Sequence, residues 1–575
     1  MLLKFFSDKW SLASFILLLA FMGLFYQVAW QYPVVDSFPL IERLIDPNYL
    51  PNDFYTNTFK EFSPRLISAK IIVWLSQVLN IEYQYVVAYG NILRIWLYGL
   101  GLYLLFLNLA GRSIALIAFS FSALSFLSMP FLPAWWPVTY DLTSSNMALI
   151  FAMYAWVYAL KSNVHISFLL LTLTVLIHPV VGIHSLIISI LIFITNNTWS
   201  TFFRLFKTLS IYPFAIAFTF AFLYNYLSYQ QVLSDADFIS INGHFRHSHH
   251  FIFSHMEIEK WISTLLMVLV CIAITVFIEK GNSTKIKKIT FVIIGYSAVM
   301  IVFNYLLVEL YPTRFMVSLI PMRSFSILVP IVVLAISRLA YFHWKNKNYC
   351  NFFLLFLPFL PYGHVGLTWY LLPNQHELVL SILLILFVMT IFVLHHYHLL
   401  SFRLIDKGIE RLFQQSALAT YIFPITVIAL LLAIFRFNIN IPTFGNSPSI
   451  YQWLNQHTAE NDILITELNA ANNQKIRLLA RRAVVVSKDF PFNEIFYQQW
   501  YQRYTDIYEH RDSARGRIDS LTEGELNVLM DKYKAHILIR TIPFPEPKMF
   551  TLLGESQGDK SLAYIYRNNE VAVDE

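Results

Sequence analysis

Two carboxylates, a run of imidazoles and a few isolated cations are the side chains here best suited to chemistry. Asp36 follows an apolar run that ends at Trp30 by six residues, and Asp53 closes the turn Asp46-Pro47-Asn48-Tyr49-Leu50-Pro51-Asn52-Asp53. A carboxylate at the water edge of a bilayer can take a proton from an acceptor hydroxyl or help to hold a divalent metal. The same residues also suit the ordinary work of loop acids, capping turns and short helices. Farther along, Asn242-Gly243-His244-Phe245-Arg246-His247-Ser248-His249-His250 is followed by His255, so five histidines and one arginine fall between His244 and His255. Arg246, His247, His249 and His250 can neutralise a phosphate or move a proton. Imidazoles can also bind a divalent metal, with Asp235, Asp237 and Glu257 able to add oxygen ligands, but no helical i, i+4 pair completes a zinc pattern. A solvated polar loop is the plain alternative. Within apolar runs stand Arg94 and His178, the latter followed by Pro179. An ionisable group at that depth lines a cavity, pairs, or snorkels. Arg314 and Arg323 bracket the apolar segment Phe315 to Met322, where a planar guanidinium suits a phosphate and an interfacial anchor accounts for it as well.

The elements that must position these groups are apolar. Of 575 residues, 57% are hydrophobic and 13% charged, against roughly 25% charged in a soluble domain; the mean hydropathy is +0.55. The chain reads as a membrane protein. Its net charge of +6 is unevenly spread: 15 Lys+Arg face 18 Asp+Glu from Phe437 onward, and 26 face 17 before it. The basic excess lies in a sparsely charged membrane body and points to no nucleic acid, because basic loops are what an inner leaflet selects. Two cysteines, Cys271 and Cys350, offer no disulfide framework.

Run lengths near the roughly 20 residues of a crossing predict spans near 10–30, 84–110, 113–132, 143–160, 209–228, 260–278, 289–310, 323–341, 350–372, 378–397 and 418–436. The stretch 166–195 reads as a pair of short helices meeting at His178-Pro179, since that reading places every short basic loop on one side. The expectation is an all-α polytopic membrane protein of about thirteen passes, with its N-terminus in the cytoplasm. A transmembrane body, 1–436, would carry external loops at 31–66 and 228–259, with a small extracytoplasmic α/β domain at 437–575. Phe38 to Ile45 and Leu66 to Leu79 have helix-spaced apolar residues and basic flanks, and are expected at the interface. In the tail, helical stretches alternate with short β-type runs at 463–466, 483–487, 536–540 and 563–566.

This layout resembles the type C membrane glycosyltransferase superfamily (GT-C). More narrowly, the Asp46 to Asp53 turn, His178-Pro179 and Phe245-Arg-His-Ser-His-His250 are similar to a bacterial family of multi-spanning membrane proteins. That family carries Asp-Pro...Asn-Asp and Arg-His-x-His-His motifs, with proline where this chain has Ser248. The resemblance implies transfer of a sugar from a polyprenyl-phosphate carrier to an acceptor at the outer face of the bacterial inner membrane, with inversion. By position, Asp36 would be the base or metal-holding carboxylate and Asp53 the runner-up. Arg246 with its histidines, or Arg314 and Arg323, would neutralise the phosphate leaving group, and His178 would contribute to the site. The implied partners are a lipid-linked sugar donor and membrane lipid; a divalent metal is an open cofactor. Three rivals remain. A polysaccharide polymerase or ligase would more naturally carry its soluble part in a mid-chain loop. A transporter would show more intramembrane charges and repeated halves, and a non-catalytic scaffold would keep this topology without activity.

Overall fold

A computed structural model describes residues 38–58, 66–125, 142–197, 211–228, 232–246, 258–277, 284–355, 449–468, 470–487, 493–508, 516–557 and 562–569, with a few single positions besides. The chain divides into two compact units. One comprises Met1–Ala29, Tyr89–Ala221 and His249–Ile439; the other gathers Trp30–Ala88, Phe222–Ser248 and Asn440–Glu575.

The first unit is helical. Among the described residues, four helices are long and apolar enough to cross a membrane: Tyr83–Ala110, Pro179–Asn196, Lys285–Leu310 and Arg314–Lys345, the last by composition across an internal break. The chain is thus a multi-spanning membrane protein, but the expectation of about thirteen passes does not stand. One reason is that apolar run length overestimates helix length. The 113–132 run yields the helix Arg112–Ser125, and the first half of the 166–195 run yields Val164–Ile177, each of 14 residues. At 1.5 Å per residue such a helix spans about 21 Å, short of a hydrocarbon core of about 30 Å. The spans expected at 10–30, 378–397 and 418–436, and most of 350–372, lie outside the described residues.

At the centre of this unit runs Ser144–Leu160, capped by Thr143, whose hydroxyl accepts the Asn146 N–H at 3.3 Å. Its apolar residues circle the helix, as expected of a segment with no solvent face, and Trp156 and Val157 are each 1% exposed. Val164–Ile177 and Pro179–Asn196 pack against it. Trp156 Nε1 donates to the Ser185 carbonyl at 3.3 Å. A Cβ on Gly101 would stand 3.0 Å from Met153 Cβ, so the glycine lets two helices approach closely.

The second unit is built on a five-stranded sheet. Its strands are β1 (Ile463–Thr466), β2 (Ala483–Val484), β3 (Ile537–Arg540), β4 (Phe550–Gln557) and β5 (Leu562–Asn568), in spatial order β2-β1-β3-β5-β4. β1 pairs in parallel with β2 and β3, while β5 runs antiparallel to both β3 and β4. The short β-branched runs Ile-Leu-Ile-Thr and Ile-Leu-Ile-Arg suit buried central strands, and all four β3 residues are buried. Ser449–His457 covers one face with Ile450, Tyr451 and Leu454. Trp453 lies so close to Gly554 that a Cβ there would meet Cζ2 at 2.7 Å.

Distant segments complete this unit. The π-helical Ile239–Arg246 and the preceding Phe238 pack on the helix Tyr497–Ile507: Phe238 stacks on Tyr497 at 6.0 Å, and Phe245 meets Trp500 and Tyr501 edge-on at 5.6 and 4.8 Å. The Leu233 N–H donates to Glu494 at 2.8 Å. Arg503 lies between the rings of Phe54 and Tyr533, 4.4 and 4.7 Å from their centroids. Burial lowers its pKa from the usual guanidinium value.

Candidate functional site

His178 ends one helix and begins the next. Its N–H donates to the Thr174 carbonyl at 2.9 Å, and its own carbonyl accepts from Gly182 at 3.0 Å. Its Nδ1 accepts the Val181 N–H at 3.3 Å. An extended backbone, φ −152° and ψ 100°, is what a residue before proline prefers. Pro179 then takes the first helical position, where its missing N–H costs nothing. The two helices close tightly after the break. A Cβ on Gly182 would fall 2.4 Å from Val175 Cγ2 and 2.8 Å from Val175 Cα.

Arg323 comes to the same place from 145 residues away. Thr313 caps Arg314–Leu319, which ends on Ile320 with φ 52° and ψ 70°; Pro321 then opens the 3-10 turn Pro321–Ser324. A β-branched residue in the left-handed region is strained by about 1–3 kcal/mol. The break leaves Arg323 Nη1 3.1 Å from His178 Nε2. That contact has a consequence for protons. A neutral imidazole has one acceptor nitrogen, so Nδ1 and Nε2 cannot both accept, the one from Val181 and the other from Arg323, and the tautomer decides which of the two contacts is the hydrogen bond. Arg323 itself has only donors, and a guanidinium beside an imidazole at a helix break in an apolar body suits an anionic oxygen.

Six residues beyond His178, His184 is 3% exposed. Its Nδ1 lies 2.7 Å from the Tyr296 hydroxyl, and its Nε2 lies 3.2 Å from the Leu319 carbonyl. A carbonyl only accepts, so Nε2 carries the proton and Nδ1 accepts from Tyr296. Ser145, Trp156, His184, Ser185 and Arg323 line a cavity of about 20 Å³, enough for one water.

The structure thus brings together two of the residues singled out in the sequence, His178 and Arg323. Arg314 is half-buried at the start of the helix that leads to the Ile320 break. Arg94 is buried, with Nε donating to Asn91 one turn away at 2.8 Å. Arg246 is in the other unit, its guanidinium 3.6 Å from the Phe490 ring centroid and donating to Asn242 at 2.9 Å. Asp36, His247, His249 and His250 lie outside the described residues. Among the described residues, no three His, Cys, Asp or Glu side chains gather as a metal site requires.

Asp53 is fully buried in the second unit. Its Oδ2 accepts from Arg477 Nη2 at 2.8 Å and Nε at 3.1 Å, and from the Thr56 N–H and hydroxyl, both at 2.7 Å. Arg477, 0% exposed, also donates to the Thr56 hydroxyl at 3.0 Å. Beside it, the Tyr49 hydroxyl donates to the Arg477 carbonyl at 2.6 Å, and Tyr55 accepts from Ser487 at 2.8 Å. Burial pushes both phenols well above their usual pKa, so they stay neutral. A carboxylate so enclosed is committed to a guanidinium and has no approach for an acceptor hydroxyl. The reading of Asp53 as a base gives way to a structural one.

Sequence reasoning missed His184, Tyr296 and Ile320. The signal for His184 was present, since a second histidine inside one apolar run is as costly in lipid as the first. Nothing in the sequence distinguished Tyr296 or Ile320 from other apolar-run residues.

Among family models, one described as a domain of unknown function (DUF6798) matches residues 446–507, within the second unit. No curated protein matches the chain. Among solved structures, the Archaeoglobus fulgidus oligosaccharyltransferase tethered with an acceptor peptide shows weak structural similarity. Its identity is 10% and its TM-score 0.37, over 94% of this chain and 70% of that one. A likeness at that score carries no argument about this chain.

Proposed function

We propose that the protein is an integral-membrane glycosyltransferase that moves a sugar from a polyprenyl-phosphate donor to an acceptor at the outer face of the bacterial inner membrane. The supporting observation is the convergence of Arg323 Nη1 and His178 Nε2, 3.1 Å apart, at a helix break in a body with helices of membrane-crossing length. Inside such a body a guanidinium beside an imidazole suits a lipid-borne phosphate. A planar guanidinium can follow the charge that develops on a phosphate as the glycosidic bond breaks. The sugar-transfer chemistry itself is what the sequence resemblance implies. With Asp53 committed to Arg477, the proton-accepting role falls to Asp36.

The test is turnover of lipid-linked sugar by the full chain in nanodiscs, followed as release of polyprenyl phosphate from a radiolabelled donor pool. Loss of a base or of a leaving-group contact costs about 10²–10⁴ in rate, so Asp36→Asn and Arg323→Met should each lose at least a hundredfold. Full activity in Asp36→Asn, or no release from any donor pool by wild-type protein, would overturn the proposal.

A further inference from the structure

We infer that His184, pinned by Tyr296, is a positioning residue that holds the break at Ile320 and so sets Arg323 against His178. The inference rests on the phosphate-binding reading of Arg323 and deepens it.

Three hydrogen bonds fix the break. The Ile320 N–H donates to Met316 at 3.2 Å and closes the preceding helix, and the Arg323 N–H donates to the Ile320 carbonyl at 2.9 Å and closes the following turn. Both are local. A left-handed residue with a branched side chain is a poor resting state for local bonds alone, because an ordinary helical or extended backbone at that position is less strained. The third bond comes from another element. His184 Nε2, on the Pro179–Asn196 helix 135 residues earlier in the chain, donates to the carbonyl of Leu319, the residue just before the strained one. Tyr296, on Thr284–Asn304, holds the other ring nitrogen and with it the tautomer. The geometry is self-consistent: Tyr296 donates to Nδ1, Nδ1 therefore has no proton, and the proton on Nε2 points at a carbonyl. The turn Pro321–Ser324 packs against both of these helices. His178 caps the helix on which His184 lies. One rigid element thus carries the anion-facing imidazole and the imidazole that fixes the carrier of the arginine.

The consequence is a coupling between positions 184 and 320 that neither contact alone would produce. If His184 acts by holding a strained backbone, relieving the strain should make it dispensable. Glycine enters the left-handed region freely, so Ile320→Gly is the relief. The experiment is binding of farnesyl phosphate, with farnesol as control, to the full chain in nanodiscs of phosphatidylethanolamine and phosphatidylglycerol. Thermal unfolding is followed in parallel. Coupled contacts of this kind change affinity by about tenfold. His184→Ala should weaken binding by about that factor, and Tyr296→Phe, which removes only a hydroxyl, should weaken it in the same direction. Ile320→Gly should bind as wild type, and His184→Ala with Ile320→Gly should recover most of the loss. Arg323→Met should abolish the preference for farnesyl phosphate over farnesol in every background.

Wild-type binding by both His184→Ala and Tyr296→Phe, with binding lost in Arg323→Met, would overturn the positioning role and leave the phosphate reading standing. A loss in His184→Ala that Ile320→Gly does not recover would also overturn it, since His184 would then act on the ligand or on general packing. Unchanged binding in Arg323→Met would instead overturn the phosphate reading.

Discussion

At the scale of single residues, Asp53 is the instructive case. Its residue type and its turn marked it as a group with a purpose, and both were legible. Its partner was not, because Arg477 is 424 positions away and no local pattern registers such a pair. Removing one member of a buried ion pair leaves the other charge uncompensated, at a cost of about 3–5 kcal/mol. Asp53→Asn and Arg477→Met should each destabilise their surroundings by about that amount, and the double variant by less than the sum. Hydrogen exchange on the full chain reads this directly. The Thr56 N–H donates to Asp53 Oδ2 at 2.7 Å and the Val484 N–H to Oδ1 at 3.4 Å, and both should lose protection in either variant. Wild-type protection at both amides would return Asp53 to the list of available carboxylates. Any loss of turnover in Asp53→Asn carries this fold defect with it, so Asp36→Asn is the cleaner test of the base.

At the scale of elements, start and stop signals read better than lengths. The apolar run at 84–110 became the helix Tyr83–Ala110, and His178-Pro179 did divide its run in two. The expectation of thirteen passes rests on apolar run lengths and on the side taken by the basic loops, and both are blind to a β-branched residue turning left-handed at Ile320. The second unit offers a local element whose stability can be tested by pH. Glu523–Tyr533 begins with a capping box in which Thr522 accepts from the Glu525 N–H at 3.4 Å, while Glu525 accepts from the Thr522 N–H at 2.9 Å. The Thr522 N–H and the Thr522 hydroxyl, which donate to the ionised carboxylate at 2.9 and 2.8 Å, hold the Glu525 carboxyl below its ordinary value of 4.5. A depressed carboxyl stabilises the fold above its unfolded pKa and loses that contribution as pH falls through the folded pKa. Wild type should therefore protect the first turn of this helix better than Glu525→Gln at neutral pH. The advantage should begin to shrink near pH 4.5 and be gone below the folded pKa. Hydrogen exchange at Leu526 across that range measures it, and a difference independent of pH would refute the assignment.

At the scale of the whole molecule, the sequence marked a change of composition near Phe437, and charge counting made that change visible. It did not show that two earlier segments fold with the tail. Composition is a local property, whereas Trp30–Ala88 and Phe222–Ser248 join Asn440–Glu575 through side chains that only the fold brings together. Three of the joints are specific. Asp53 neutralises the buried Arg477, Glu494 accepts the Leu233 N–H, and Phe245 fits against Trp500. Cut out alone, residues 437–575 would keep the sheet strands but would bury a guanidinium without its carboxylate and expose the aromatic face of Tyr497–Ile507. Uncompensated buried charge costs about 3–5 kcal/mol, a large share of the roughly 5–15 kcal/mol that holds a domain together. The isolated tail should accordingly give a poorly dispersed amide spectrum with few protected amides. Joining it through flexible linkers to residues 30–88 and 222–248 should restore dispersion, and Arg477→Met should remove part of the defect in the isolated tail, because it deletes the orphaned charge. A well-dispersed, protected spectrum from the tail alone would mean that the three-segment unit is an association of an independent domain with two loops. The Asp53–Arg477 pair would then serve attachment and not folding.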